Sequence, residues 1–279
     1  MQARPAPIRK AGIWIRHAST AQGRHFRPAE SRIELDQLQA AAVNSTVMQI
    51  TRTTRGFRMA QHGVVISELR TTPGPTHSVF DVLAALVAVL QPAGPTGVLG
   101  FGGGGMLAPL QALGVTDPLQ AVDLDRTGWD LFRKHCPAWV PHVSWHQADA
   151  VEWLRDQPAH FALLIEDISI PDQGDVFKPS FTWDILPSLI HDRLVPGGTA
   201  IFNLLPPPNG IWRCDISRIA ATFGGGCSIR FDEFENVILV AGRPLPLTRE
   251  LGTQLRTALR SIRSRLADRI HLRTEHGTA

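Results

Sequence analysis

An α/β fold with a doubly wound, mostly parallel, seven-stranded sheet is predicted by three features of this 279-residue sequence. First, the apolar pair Val98-Leu99 meets Gly100-Phe101 and then four consecutive glycines, Gly102-Gly103-Gly104-Gly105, before a helical stretch over 107–113. Second, short apolar runs go on alternating with helical stretches as far as residue 223, the pattern of parallel strands connected by crossover helices. Third, acids stand just after successive runs, at Asp123, Asp149 and Asp167. In such sheets ligands bind beyond the carboxyl ends of the strands, so glycines and carboxylates are expected on one rim.

The glycine stretch organises the chain. A strand that turns sharply into a helix beside a ligand needs φ > 0 and a backbone bare of Cβ atoms. Gly100-x-Gly102-x-x-Gly105 satisfies the nucleotide-type fingerprint, and Asp123 and Asp125 follow about twenty residues on. A flexible linker is the plain alternative, but a linker is not normally set between an apolar strand and further strand–helix units.

Taken in order, residues 1–43 form a basic leader with little apolar periodicity, ending in a short helix over 34–43. Residues 44–76 read as a small β unit, with strands over 47–53, 57–61 and 64–69 and a hairpin turn at His62-Gly63. Residues 77–245 hold the main domain, which opens with a helix over 79–90 that is apolar nearly all round and therefore buried. After the glycine strand come strands over 120–124, 143–148, 161–165 and 199–205, and a final pair over 227–231 and 237–241. Helices are expected over 126–135, from 151, over 181–194 and over 212–223. Residues 246–279 read as a basic amphipathic helix, with Leu251, Leu255, Leu259, Ile262, Leu266 and Ile270 at helical spacing and arginines on much of the rest. That stripe suits docking on the domain or on a second copy of the chain. A nucleic acid or acidic partner is the minority reading.

Composition narrows the function classes. The chain is 43% hydrophobic and 19% charged, with a formal charge of +3, which permits an acidic partner without requiring one. Cys136, Cys214 and Cys227 form no CxxC pair and are odd in number, which points to reduced thiols and a cytoplasmic setting. His142 and His146 lie in a strand-like stretch where their spacing builds no helical metal face, so no metal is expected. No apolar run reaches the ~18 residues of a membrane span, and no signal-peptide core opens the sequence. Acids without a basic cluster beside them suit a ligand bearing hydroxyls, amines or a cation better than a polyphosphate.

Over residues 47–242 the chain resembles the spermidine-synthase-like branch of class I S-adenosylmethionine-dependent transferases. The order of motifs carries the likeness: a β unit with GFRMAQHG, then VLGFGGGG, AVDLD, HQADA, LLIEDISIP, LVPGGTAIFNLL and a closing ENVILVAG strand. The resemblance implies the methyltransferase-like Rossmann fold and a role for each residue of the rim. Gly102, Gly103, Gly104 and Gly105 would pass the backbone beside the methionine part of the cofactor. Asp123 would accept from ribose hydroxyls, and Asp149 from the adenine amino group with Ala150 beside it. Asp167 would stand at the reacting centre as the catalytic carboxylate.

The polyamine half of the site departs from that family. An aspartate of the glycine loop is replaced by Gly105, and a second one, three residues after the catalytic position, by Ile170. The tyrosine–histidine–glutamate set on the preceding helix appears as Val79, Phe80 and Asp81, and the chain has no tyrosine. A polycation needs several fixed acceptors to offset its desolvation. The leading expectation is therefore an enzyme that uses S-adenosylmethionine to methylate an amine or other nucleophile. Aminopropyl transfer from decarboxylated S-adenosylmethionine to an unusual acceptor, and a catalytically silent adenosyl-ligand-binding module, are the alternatives. A nicotinamide oxidoreductase ranks below them, because no proton-donor motif accompanies the glycines.

Overall fold

The computed structural model describes residues 48–158, 160–172, 175–207, 212–242 and 244–276. The expected basic leader over 1–43, with its short helix, lies outside the described residues. Strands β1 (Gln49–Thr53), β2 (Gly56–Gln61) and β3 (Val64–Arg70) form an antiparallel meander. Its second turn is the expected one: His62 and Gly63 both have positive φ, 50° and 77°, as a two-residue hairpin turn with the twist of its strands requires. Helix α1 (Val79–Leu90) follows, and Val79 and the run from Asp81 to Val87 are buried.

The main sheet begins with β4 (Thr96–Leu99), α2 (Leu107–Ala112), β5 (Leu119–Asp123), α3 (Arg126–His135), β6 (Val143–Gln147), α4 (Ala150–Asp156) and β7 (Phe161–Glu166). A small hairpin of β8 (Ile170–Asp172) and β9 (Asp175–Phe177), absent from the sequence reading, comes next. The helix expected over 181–194 is two, α5 (Phe181–Asp184) and α6 (Leu186–Arg193), with Pro187 in the first turn of the second. Proline lacks the N–H that a continuous helix would need at that point and is tolerated where a helix starts. Then come β10 (Leu194–Leu204), α7 (Trp212–Thr222), β11 (Gly226–Phe231), β12 (Val237–Gly242), α8 (Thr248–Ser261) and β13 (Ile270–Glu275).

The spatial order is β13-β11-β12-β10-β7-β4-β5-β6. Strands β10, β7, β4, β5 and β6 are mutually parallel, whereas β12, β11 and β13 add antiparallel pairs. Alternate strand residues feed two cores. Val98, Ile201 and Ile238 pack with α1, α2, α3 and α8 on one face. Leu99, Phe202 and Leu239 pack with α4, α6 and α7 on the other. The chain reverses its direction of build between β4 and β7, the switch point at which such sheets open a crevice.

One expectation is corrected. The sheet has eight strands rather than seven, because the C-terminal segment is not one helix. Helix α8 stops at Ser261, Arg263 takes φ 57°, and Ser264 donates its N–H back to Leu259 O at 2.8 Å. A short 3-10 turn over Arg265–Asp268 then leads into β13, which pairs with β11. The apolar spacing misled because Leu266 and Ile270 are buried in a turn and a strand at the positions a continuing helix would also bury. The leucine stripe docks on its own domain: Leu251, Leu255 and Leu259 are fully buried in the core of their own chain. No helix among the described residues is long and apolar enough to cross a membrane.

Candidate active site at the strand ends

The glycine run is held by backbone geometry on one side and by packing on the other. Gly100, Gly102 and Gly104 have φ of 87°, 55° and 70°, a region side chains with a Cβ rarely enter. A Cβ at Gly100 would lie 2.8 Å from Asp167 O, so this glycine lets the end of β4 pass close to the end of β7. Gly103 and Gly105 serve a different purpose. A Cβ on Gly103 would run into the Met59 thioether, and one on Gly105 would meet the Phe80 ring at 2.8 Å. These two let the loop lie against β2 and α1. Gly102 is the open member, its nearest neighbour on the Cβ side being Ile66 O at 4.0 Å. Within the loop, Phe101 packs edge-on against Trp129 and Phe132 of α3, with ring centroids 5.7 and 5.3 Å away. Gly128 allows the first turns of α3 to touch Gly102 O, a close approach the sequence reading did not single out.

Asp123 closes this arrangement from β5. Its Oδ2 accepts from Gly102 N at 2.7 Å and its Oδ1 from Asp125 N at 3.1 Å. Burial pushes its carboxyl up to about 6, against the pull of those backbone N–H groups. The Phe101 backbone N–H adds a weaker pull, and the two oxygens keep acceptor capacity beyond these backbone bonds. Next to it Leu124 is 47% exposed, an apolar side chain left on the rim. Asp149 caps α4 through Oδ1, which accepts from Val151 N at 2.8 Å and Glu152 N at 3.1 Å. Its half-buried neighbour Ala150 packs at the edge of the second core. The carboxylate of Asp149 thus has a structural task, with Oδ2 outside those two bonds.

Asp167 follows β7 directly, its N–H bonded to Leu99 O at 2.8 Å. Its Oδ1 accepts from Asn203 Nδ2 at 2.7 Å, and Asn203 Oδ1 accepts in turn from Asn236 Nδ2 at 2.9 Å. Both asparagines are 1% exposed. Burial raises the Asp167 carboxyl to about 6; Lys178 and the Asn203 bond oppose the rise and the negative charge of Asp123 adds to it. The same strand end carries a fully buried ion pair, with Lys178 Nζ 2.9 and 2.8 Å from the two Glu166 oxygens. Desolvation raises Glu166 to about 7 despite that partner. Glu166 Oε1 also accepts from Ile168 N at 2.9 Å, which pins the backbone just past Asp167.

The structure therefore brings Gly100, Gly102, Asp123 and Asp167 together, sets Asp149 one strand end further along, and turns Gly103 toward the N-terminal meander and Gly105 toward α1. Asn236 and the Glu166–Lys178 pair were not foreseen as parts of the site. Asn203 carried a signal, an amide inside the apolar run IFNLL, whereas nothing in the sequence marks Lys178 as the partner of Glu166. Beside the loop a cavity of about 10 Å³, lined by Phe80, Phe101 and Met106 among others, has room for about one water. No group of three or more His, Cys, Asp or Glu among the described residues could hold a metal ion.

No protein-family model and no curated protein matches the sequence. Solved structures do match the fold. A probable spermidine synthase from Corynebacterium glutamicum superposes with a TM-score of 0.63 at 15% identity, over 82% of this chain and 87% of that one. Spermidine synthase from Thermotoga maritima gives a TM-score of 0.54 at 16% identity, over 72% of each chain. A spermidine synthase in complex with the transition-state analogue AdoDATO gives the same values. At these identities the likeness shows the fold alone, the one these solved spermidine synthases share.

Proposed function

We propose that the chain is a transferase that holds an adenosyl sulfonium cofactor at the ends of β4, β5 and β7 and moves its methyl group to an amine or other nucleophile. One observation carries the reading: Asp123 and Asp167, on strands flanking β4, meet the two sides of the same glycine loop within electrostatic reach of each other.

The residues fit the adenosine half of such a ligand. Asp123 offers acceptor capacity toward a ribose diol, Leu124 an exposed apolar face for a base, and Asp149 Oδ2 an acceptor for an amino group. When bound, S-adenosylmethionine supplies an electrophilic methyl carbon on a sulfonium. Displacement at that carbon depends mainly on alignment of the nucleophile, so little acid–base machinery is required. Asp167 does that aligning: Asn203 fixes its rotamer, and a carboxyl near 6 is ionised at neutral pH and able to take a proton from an incoming ammonium. The small cavity beside Met106 implies that Phe80, Phe101 or the loop shifts when the methionine end enters.

Aminopropyl transfer to an unusual acceptor is less well supported. It would call for further free acids, and Glu166 is already neutralised by Lys178. The test is calorimetric titration with S-adenosylmethionine, its decarboxylated form, S-adenosylhomocysteine, methylthioadenosine and NAD. Tight binding of the first and third supports the proposal. Binding without turnover against an amine panel supports the silent binding module, and binding of none overturns both.

A further inference from the structure

On the N-terminal meander, away from the strand-end rim, a second pocket has a different chemistry. Its volume is about 160 Å³, comparable to the about 150 Å³ that admits a benzene-sized group. Arg55, Arg58 and Arg70 line it together with Thr53, Thr54 and Glu68. The fold builds this convergence. Gly56, at φ 147°, has no room for a Cβ against the backbone of Leu69, so the β1–β2 turn lies flat on the end of β3. Thr71 N reaches Arg55 O at 3.4 Å, which sets Arg55 beside Arg70.

The charges do not cancel. Arg58 is spent on Glu68, its cross-strand partner, with bonds of 3.3 and 3.0 Å to one carboxylate oxygen. Asp81 and Glu68 both pull on the Arg70 charge, which leaves one positive charge in excess among these groups, and the two Asp81 oxygens already accept from Thr76 N, Thr76 Oγ1, His77 N and Ser264 Oγ. Arg70 is left with Nε and Nη1 buried and without a hydrogen-bond partner among the described residues. Among the described residues the Arg55 guanidinium reaches the ring nitrogen of His77, at 3.4 Å. His77 is itself held below its ordinary range, first by burial and then by the cations Arg265, Arg55 and Arg70 against the pull of Asp81. Buried guanidinium donors without an acceptor are costly, and an oxyanion that takes both of their N–H groups relieves that cost.

We infer that this pocket is a binding site for a small dianionic oxyanion, the phosphate group of a free phosphomonoester, clamped between Arg70 and Arg55. Donors arriving from two directions, the buried Nε and Nη1 of Arg70 and the guanidinium of Arg55, match the several acceptor oxygens of a tetrahedral phosphate better than the two of a planar carboxylate. The volume leaves room for a small organic group on the ester oxygen and for little more.

The test is calorimetric titration of the full chain with inorganic phosphate, glycerol phosphate and acetate at constant ionic strength in chloride. One saturable site is expected for both phosphates, at least tenfold tighter than for acetate. Arg55→Ala, at an exposed position, should weaken phosphate at least tenfold, as should Arg70→Met where it folds. Arg218→Ala on α7, far along the chain from this pocket, should leave affinity unchanged. Absence of saturable phosphate binding, equal affinity for acetate, or the same loss in Arg218→Ala as in Arg55→Ala would overturn the inference. Binding of a 5′-phosphorylated oligonucleotide but of neither small phosphate would also overturn it, in favour of a nucleic-acid surface.

Discussion

Asn203 donates its side-chain amide to Asp167 Oδ1 at 2.7 Å and is in turn held by Asn236, so the carboxylate at the end of β7 is oriented by a buried two-amide relay. A buried amide without partners is costly, and here every step of the relay is used. Asn203→Leu removes the donor and leaves Asn236 Nδ2 without that acceptor, an expected loss of about 1–3 kcal/mol in stability. Because the lost bond was lowering the Asp167 carboxyl, the acidic limb of the methyl-transfer pH profile should move above about 6. An unmoved profile would show that Asn203 only fills space.

Asp167→Asn tests the same carboxyl through stability. In the folded protein it sits near 6, against 3.8 without the fold. The native state therefore holds its proton more tightly, and this group's contribution to stability is complete below about pH 4 and lost as pH rises through 6. The asparagine variant cannot ionise. It should be more stable than the parent by roughly 1–3 kcal/mol at pH 8 and closely matched to it at pH 4. Thermal melts at the two pH values decide it, and a gain at pH 4 instead would contradict the assignment.

The Glu166–Lys178 pair should respond asymmetrically. Glu166→Gln leaves a buried ammonium without its counter-charge, with an expected cost of about 3–5 kcal/mol. Lys178→Met leaves a carboxyl already raised to about 7, which can escape by taking a proton. The Lys178→Met loss should therefore be small at pH 6 and grow toward pH 8, because removing the lysine raises the Glu166 carboxyl further. Equal losses for the two variants at pH 6 would rule this out.

How much of this was legible in the sequence differs between the strand ends and the side chains around them. The alternation from Thr96 to Thr222 placed the parallel strands because each apolar run is too short for a helix and each is bounded by turn residues. Asp123 and Asp167 were legible for the same reason, as acids at the carboxyl end of a buried strand. Asp149 was legible as a position, but its capping of α4 could not be told from ligand binding before the geometry was known. The relay through Asn236 and the pairing of Lys178 with Glu166 depend on tertiary contacts over 33 and 12 residues, for which no local period exists. The end of α8 was hidden because Arg263, an ordinary helix former, takes the left-handed conformation that usually announces itself as glycine.

That helix end changes what truncation should do. Asp81 on α1 accepts from Ser264 Oγ at 2.6 Å, so a fully buried carboxylate ties the C-terminal segment to the start of the main domain. Removing residues 248–279 would strip Leu251, Leu255 and Leu259 from the core and take away β13. The expected product is insoluble or molten, rather than a folded chain with altered self-association. A cooperative thermal transition in the truncated protein would contradict this. Ser264→Ala, which removes one bond, should cost only about 1 kcal/mol.

The last prediction concerns which cofactor the rim accepts. Decarboxylated S-adenosylmethionine ends in a cationic aminopropyl chain, and a site choosing it must place an anion where S-adenosylmethionine carries its carboxylate. Beyond Gly104 the loop offers Gly105 and Met106, whose backbone N–H groups can donate to a carboxylate but present no negative charge to an ammonium. Glu166, the buried acid preceding Asp167, is paired with Lys178. S-adenosylmethionine should therefore bind more tightly than its decarboxylated form. Asp123→Ala should weaken both by about 1–3 kcal/mol, since the bond it removes is to the shared adenosine. Asp123→Asn, which can still accept from Gly102 N, separates that loss from collapse of the loop. Asp167→Asn should lower methyl transfer with little change in cofactor affinity, because Asp167 serves the nucleophile. Tighter binding of the decarboxylated form, with methylthioadenosine released as product, would overturn the reading in favour of aminopropyl transfer.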